Sequence, residues 1–401
     1  MTSDPVDIVN IFLEEFTPKK LQLGSAKFEN KTSFNSMFFL PVREEEVVKE
    51  INFLGSSSAV GSDGVTIKAL KHVATYISKP LSHCINLFFE HGTYPDSMKH
   101  SIIRPLHKKG TRTEAGNYRG IFLVSNIAKL IDKLVHKRLQ IFLETYNLIS
   151  KDQHGFTQGK STTTSTADLL HEIVSGFAAG NISLVIFVDF TKAFDSCCHS
   201  LLLSKLETLG VRGTCLQFFK SYLSNRTQSV LYKYHEQRKS EIEVNVQESR
   251  TAVDTGVFAG TILGPALFNI FINSLFECLN DVKTTAYADD IAIVLNAPDC
   301  NALERTATKV MGKLVSWSSE NGLRINTSKT KFMLFNNKSA TIFNLMLNGE
   351  SLECVKIFKY LGISIEEKLC WSTHIDELCH RLQRILKLFR FLRHSFLFCL
   401  F

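Results

Sequence analysis

Apolar residues recur at helical spacing from Ile67 to Glu90 (Leu70, Val73, Ile77, Leu81, Ile85, Phe88), and the pattern stops near Gly92. That period predicts an amphipathic helix with a glycine stop. A second such helix follows, with Ile127, Leu130, Ile131, Leu134, Leu139 and Phe142 on one side and Lys129, Lys133, Lys137 and Arg138 largely opposite. Further helices are predicted over 196–209, 262–279 and about 302–319. The period changes between Ile182 and Phe190, where an almost continuous apolar run marks a strand buried on both faces. The stretch Thr284–Leu295 reads as two short strands meeting at Asp289-Asp290, and Lys331–Phe335 as another strand. Residues 101–124 mix a short β-like run with a basic turn, His107-Lys108-Lys109-Gly110. Gly and Ser make 55–64 a loop, and Glu44, Glu45 and Glu46 look like an exposed first helical turn. The last 17 residues, Ile385–Phe401, are very apolar yet contain Lys387, Arg390, Arg393 and His394. They are short for a membrane span and predict an amphipathic helix that lacks its partner.

Composition narrows the class. A chain of 401 residues, 44% apolar and 21% charged, can bury a large core and exceeds one ordinary domain. The net charge of +7 decides little, but its distribution is uneven. Residues 101–140 hold nine Lys/Arg against two Asp/Glu, and 381–401 hold five Lys/Arg and no acid. Two basic blocks suggest two surfaces for a polyanion, most simply nucleic acid, with solvated helix faces as the plainer account. The ten cysteines show no C-x-x-C spacing, so neither a zinc site nor a disulfide framework is supported. No secretory signal opens the chain, and it reads as intracellular with reduced thiols, nucleus or cytoplasm being left open.

Three carboxylates stand out by position. Asp189 ends the buried run Val-Ile-Phe-Val-Asp, and Asp289 and Asp290 sit in the predicted hairpin Tyr-Ala-Asp-Asp. Taken singly, an Asp-Asp pair is ordinarily a solvated turn, and a strand-ending Asp a helix cap. Converging at the ends of apolar strands, three such groups would repel one another unless cations held them together. Two Mg²⁺ ions roughly 3.5–4 Å apart would meet that need and supply the machinery of nucleotidyl transfer.

In combination, the motifs resemble the reverse transcriptase of jockey-like retrotransposons without long terminal repeats, from about Gly55 to about Leu378. Val188-Asp189-Phe190-Thr191-Lys192-Ala193-Phe194-Asp195 is similar to the first palm motif, Gly256–Asn273 to the second and Tyr287-Ala288-Asp289-Asp290 to the third. Asn326-Thr327-Ser328-Lys329-Thr330 resembles the fourth, and Phe358-Lys359-Tyr360-Leu361-Gly362 the primer grip. Lys108-Lys109-Gly110, Asn117-Tyr118-Arg119 and Gln153-His154-Gly155-Phe156 resemble the fingers.

The resemblance implies an α+β right-hand polymerase with an antiparallel palm sheet. The expected divisions are a leader (1–54), fingers (55–181), a palm (182–345), and a primer grip with a truncated thumb root (346–401). It implies a two-Mg²⁺ site, with Mn²⁺ as substitute, on Asp189, Asp289, Asp290 and the Phe190 carbonyl. Lys108 or Lys109 and Arg119 would clamp the incoming triphosphate, with Gly260 beside the nucleotide. Phe194 would exclude a 2′-hydroxyl or simply serve the core. Lys329 would protonate the leaving pyrophosphate, although Lys331 or a solvent-facing duty fits that stretch too. An RNA template, a DNA primer and deoxynucleoside triphosphates are the implied partners, with no membrane.

Several positions depart from the family pattern. Phe258-Ala259-Gly260 replaces Pro-Gln-Gly, Gly120 replaces the Pro after Arg119, Thr157 replaces an Arg, and Ser274 stands where an Asp is usual. These changes, and a C-terminus that looks cut short, leave a second expectation open: a remnant that binds nucleic acid without polymerising.

Overall fold

A computed structural model of the chain describes residues 5–18, 35–55, 59–234, 242–249, 255–257, 260–335 and 344–397. In chain order the first elements are α1 (Pro5–Phe16), α2 (Glu44–Phe53), α3 (Ile67–His91), β1 (His100–His107), β2 (Tyr118–Val124) and α4 (Asn126–Thr145). Then come α5 (Thr162–Ala178), β3 (Ile182–Val188), α6 (His199–Leu209), α7 (Gly213–Leu223), β4 (Thr227–Tyr234), β5 (Ile242–Ser249) and α8 (Leu263–Cys278). The hairpin of β6 (Lys283–Tyr287) and β7 (Asp290–Ala297) is followed by α9 (Cys300–Asn321) and β8 (Lys331–Phe335). Short strands β9 (Met346–Leu347), β10 (Glu350–Ser351) and β11 (Glu353–Cys354) lead to β12 (Ile357–Tyr360), β13 (Ile363–Glu366) and α10 (Ser372–Leu397).

The helices expected from periodicity are present, and their ends have local causes. The Thr66 side chain caps α3 by accepting from the Ala69 amide, and Gly92 closes it in the left-handed conformation that glycine adopts without strain. The C-terminal helix starts at Ser372, well before the expected Ile385, because Glu366 caps it from outside. The Glu366 carboxylate accepts from the Ser372 and Thr373 amides and hydroxyls and from Cys370. These bonds, that from Cys370 foremost, hold its pKa down at about 2. Among the described residues, no helix is long and apolar enough to cross a membrane.

The chain forms two compact units. The first comprises Met1–Lys151, Thr191–Glu277 and Trp317–Arg324. It carries a four-stranded sheet in the order β2-β1-β4-β5, antiparallel except for the parallel β1–β4 pair. Helix α1 lies on this sheet: Val9 and Phe12 pack with Ile103, Phe122 and Val230, and Phe12 meets Tyr118 edge-on at 4.8 Å. The second unit comprises Asp152–Phe190, Cys278–Ser316 and Ile325–Phe401. Its five-stranded sheet has the order β11-β8-β3-β7-β6, with β3 between two antiparallel neighbours. Leu169 and Ile173 of α5 cover Val185, Phe187, Ala292 and Val294 on one face. Six of the seven β3 residues are buried, which accounts for the unbroken apolar run.

One buried charge in the first unit lacks its usual partner. Lys205 donates to the Phe271 carbonyl at 2.6 Å and to Ser274 Oγ at 2.8 Å, and lies over the Phe271 and Trp317 rings. Both acceptors are uncharged, and burial pushes the Lys205 pKa down to about 7. Between that value and the ordinary 10.5 the unfolded chain binds the extra proton, so stability rises with pH across this window. Ser274→Asp supplies the missing carboxylate. It should raise stability at pH 7 by about 1.5–3 kcal/mol, the scale of a charged hydrogen bond. It should also flatten the rise in melting temperature between pH 7 and 10; thermal unfolding across that range checks both.

Candidate active site

The register of the second unit's sheet brings the carboxylates together. Val188 of β3 pairs with Ile291 of β7. Asp189 follows the last paired residue of β3 and Asp290 precedes Ile291 in β7, so both carboxylates line one cavity at this end of the sheet. The hairpin tip differs from the expected one. Tyr287 pairs with Asp290, so the two turn residues are Ala288 and Asp289, and Asp290 already belongs to β7. Ala288 has φ +58°, the left-handed first position that mirror-image hairpin turns need to match strand twist.

Burial, then repulsion from Asp289 and Asp189, raises the Asp290 pKa to about 6. Asp189 Oδ2 is buried and accepts no hydrogen bond, while Lys329 Nζ lies 3.6 Å from it. The Asp189 backbone is fixed at both ends: its amide donates to Thr330 Oγ1 at 3.2 Å, and its carbonyl accepts from the Asn326 amide at 2.8 Å. The loop from Asn326 to Thr330 therefore anchors the end of β3 and delivers Lys329 to the carboxylate. Phe190 bridges to Ile325. Hard oxygen donors, mutual repulsion and one unsatisfied buried oxygen fit a divalent cation. Among the described residues, no three acidic, histidine or cysteine side chains are drawn into a ready-made coordination shell.

A cavity of about 420 Å³ opens beside these groups, lined by Phe187, Asp189, Asp290, Lys329, Phe358 and Tyr360 among others. Phe358 stacks on Phe187 with ring centroids 3.9 Å apart, and the buried Tyr360 hydroxyl shares a hydrogen bond with Ser165. The β12–β13 hairpin thus packs against the sheet and walls the cavity.

The other expected site residues belong to the first unit. Lys108 and Lys109 stand at the tip between β1 and β2, and Arg119 is exposed on β2. Cross-strand pairing puts Arg104, Leu106, Arg119 and Ile121 on one open face, while α1 covers the other. Gly120 belongs to the covered face, where an added Cβ would come within 3.0 Å of Ile103 and 3.3 Å of Phe16. Phe194 stacks on Phe268 at 4.1 Å and is half-buried. Gly260 has φ +125°, and a Cβ there would stand 3.0 Å from the Phe122 carbonyl. Phe258 and Ala259 lie outside the described residues.

The first basic block needs correction. Three of its four helical cations are engaged within the chain: Arg138 bonds both Glu46 carboxylate oxygens, and Lys133 and Lys137 pair with Glu50. Burial raises the Glu46 carboxyl, but the Arg138 hydrogen bonds and charge outweigh it and, with Lys137, hold it below its ordinary value. Glu46 is therefore not the exposed helix-start residue the sequence suggested. A count of charge by segment could not show a partner in α2, some ninety residues away.

Residues 106–365 match the model of the family described as reverse transcriptase (RNA-dependent DNA polymerase). The chain belongs to the reverse transcriptase family. It is 28% identical over 364 residues to a protein of Drosophila melanogaster named probable RNA-directed DNA polymerase from transposon BS, covering 88% of this chain and 39% of that one. It is 26% identical over 342 residues to the RNA-directed DNA polymerase from mobile element jockey of the same species, covering 83% and 36%. A Pol polyprotein of the type-1 retrotransposable element R1 from Bradysia coprophila is 27% identical over 269 residues, covering 66% and 25%. The jockey-like resemblance is thereby borne out, and the chain spans between 25% and 39% of the length of these relatives.

Arg138→Ala should cost about 1–3 kcal/mol of stability by removing the two-pronged hold on Glu46, which keeps only Lys137. Denaturant unfolding of the variant beside the unaltered chain checks this.

Proposed function

We propose that the chain is the polymerase core of a retrotransposon reverse transcriptase, adding deoxynucleotides to a primer 3′-hydroxyl on an RNA template. The observation that carries this reading is the set of three aspartates at the ends of adjoining strands, with a buried Asp189 oxygen left without a hydrogen bond. Asp189, Asp289, Asp290 and the Phe190 carbonyl would hold two Mg²⁺ ions, or Mn²⁺ in their place. When bound, the ions lower the pKa of the attacking hydroxyl and neutralise charge on the phosphates. In the reaction the primer 3′-hydroxyl would give up its proton to solvent and its oxygen would bond to the α-phosphorus, while the α–β phosphoanhydride bond breaks and pyrophosphate leaves.

The chain's own groups supply positioning and charge. Lys329, exposed and beside Asp189, is suited to hand a proton to the leaving pyrophosphate. Lys108, Lys109 and Arg119 are proposed to take the triphosphate: a guanidinium matches phosphate as a planar fork, and an ammonium serves as a mobile charge. Phe194 would select against a 2′-hydroxyl, with Gly260 leaving space beside the nucleotide. The cavity walled by Phe358 and Tyr360 would receive the primer terminus. In this right-hand arrangement, 55–181 serve as fingers, 182–345 as palm and 346–401 as primer grip and thumb root.

The purified chain should incorporate dTTP on oligo(dT)-primed poly(rA) with Mg²⁺ or Mn²⁺, and Asp289→Ala should abolish incorporation. No incorporation by the unaltered chain, with gel-shift binding intact, would leave a nucleic-acid-binding remnant instead. Arg119→Ala should raise the nucleotide KM by at least about tenfold, the weight of one lost charged hydrogen-bond pair. Primer–template affinity should change far less; equal effects on both would remove Arg119 from the nucleotide site.

A further inference from the structure

The catalytic turn is held from a direction that the carboxylates do not reveal. Gln153 is fully buried, and its amide brackets the backbone of Ala288. Oε1 accepts from the Ala288 amide at 2.9 Å, and Nε2 donates to the Ala288 carbonyl at 3.2 Å. Oε1 also accepts from the Gly155 amide at 2.8 Å. The flanking backbone joins the strand next to the turn: the Ala286 amide donates to the Asp152 carbonyl at 2.9 Å, and the His154 amide donates to the Ala286 carbonyl at 2.7 Å. Gly155 makes this approach possible, since a Cβ there would lie 2.2 Å from the Ala288 nitrogen.

Ala288 is the residue that needs holding. It is an alanine at φ +58°, a conformation that costs a non-glycine residue roughly 1–2 kcal/mol. Both of its backbone polar groups are spent on one side chain, and the next two residues are Asp289 and Asp290. Relaxation of Ala288 toward negative φ would re-aim the peptide that leads into both aspartates. Gln153 offers a donor and an acceptor at the spacing of one residue's N–H and C=O, so it both satisfies and selects the left-handed form.

We propose that Gln153 is a positioning residue for catalysis, fixing the left-handed Ala288 and through it the orientation of Asp289 and Asp290 toward divalent cations. The inference rests on the polymerase reading for its catalytic consequence but not for its structural one. Two variants separate the contributions. Gln153→Met keeps the volume and removes both hydrogen bonds, and Gln153→Glu keeps the acceptor but cannot donate to the Ala288 carbonyl. Gln153→Met should lower kcat by at least about thirtyfold with the nucleotide KM and primer–template Kd within about twofold, the pattern of a lost transition-state contribution. Its Mn²⁺ affinity, read by electron paramagnetic resonance, should fall at least about fivefold, a shift on the scale of one hydrogen bond. Hydrogen exchange at the Ala288 and Asp289 amides should quicken by at least about tenfold. Leu169→Ala, a core change in the same unit, should lower the melting temperature while leaving Mn²⁺ affinity in place. Adding Ala288→Gly to Gln153→Met should recover part of the loss, since glycine adopts the left-handed form unaided.

Unchanged exchange at Ala288 in Gln153→Met overturns the proposal whether or not the chain polymerises. Unchanged Mn²⁺ affinity and kcat in an otherwise active enzyme overturns it while leaving the polymerase reading intact. An unaltered chain that neither incorporates nucleotide nor binds Mn²⁺ above Asp289→Ala sinks the polymerase reading. In that case the exchange rates alone decide whether Gln153 holds the turn.

Discussion

Like charge placed at the mouth of an apolar sheet is the constraint around which the second unit is arranged. Asp189 and Asp290 line one cavity because β3 and β7 run in register, and burial makes their mutual repulsion more costly than water would allow. A flexible strand end would relieve that repulsion by splaying. Here it cannot: the Asp189 amide and carbonyl are tied to Thr330 and Asn326, and the residue before Asp289 is tied to Gln153. The core beneath the carboxylates, with Phe187 stacked on Phe358 and Tyr360 bonded to Ser165, gives these ties something rigid to act against. A cation bound at such a site would draw its affinity from repulsion the protein is prevented from dissipating.

The parts of this arrangement that could be read from the chain are those carried by periodicity or by a short run of unusual composition. The α3 pattern stops at Gly92 because a left-handed glycine ends it, and the apolar run into Asp189 is continuous because both faces of β3 are covered. The third palm motif identifies the hairpin, yet it did not reveal that the turn is Ala288–Asp289. That depends on which residues pair across the strands, and a two-residue shift leaves composition unchanged.

What escaped the sequence consists of contacts over long separations. Gln153 looked like one more residue of a fingers motif, and nothing local links it to Ala288. The conjunction of Gln153, Gly155 and an alanine before two aspartates is the signal that could have been followed. The Lys133–Arg138 basic face suggests either a nucleic-acid surface or a solvated helix face from composition alone, because its acidic partners lie in α2. Helix α5 was missed: its opening run of Thr and Ser is weakly helical by composition, and it is set by a Ser161–Thr164 capping box and by packing on the sheet. Gly120, which departs from the family's Pro, has a tertiary cause in the nearby Phe16 ring.

The bridge from Asp152–His154 to Ala286 has a further effect, on the sheet's exposure to other molecules. Strand β6 is an edge, and an edge with unpaired amides and carbonyls invites a strand from another chain. Both polar backbone groups of Ala286, next to last on that edge, are already taken by this bridge. The opposite edge, β11, is only two residues long, and its own Glu353 holds Lys331 in an ion pair at 2.5 Å. A sheet rich enough in valine, isoleucine and phenylalanine to aggregate is thus closed at one margin and short and charged at the other. The backbone that steadies the Ala288–Asp289 turn also occupies part of the edge at which another strand would add.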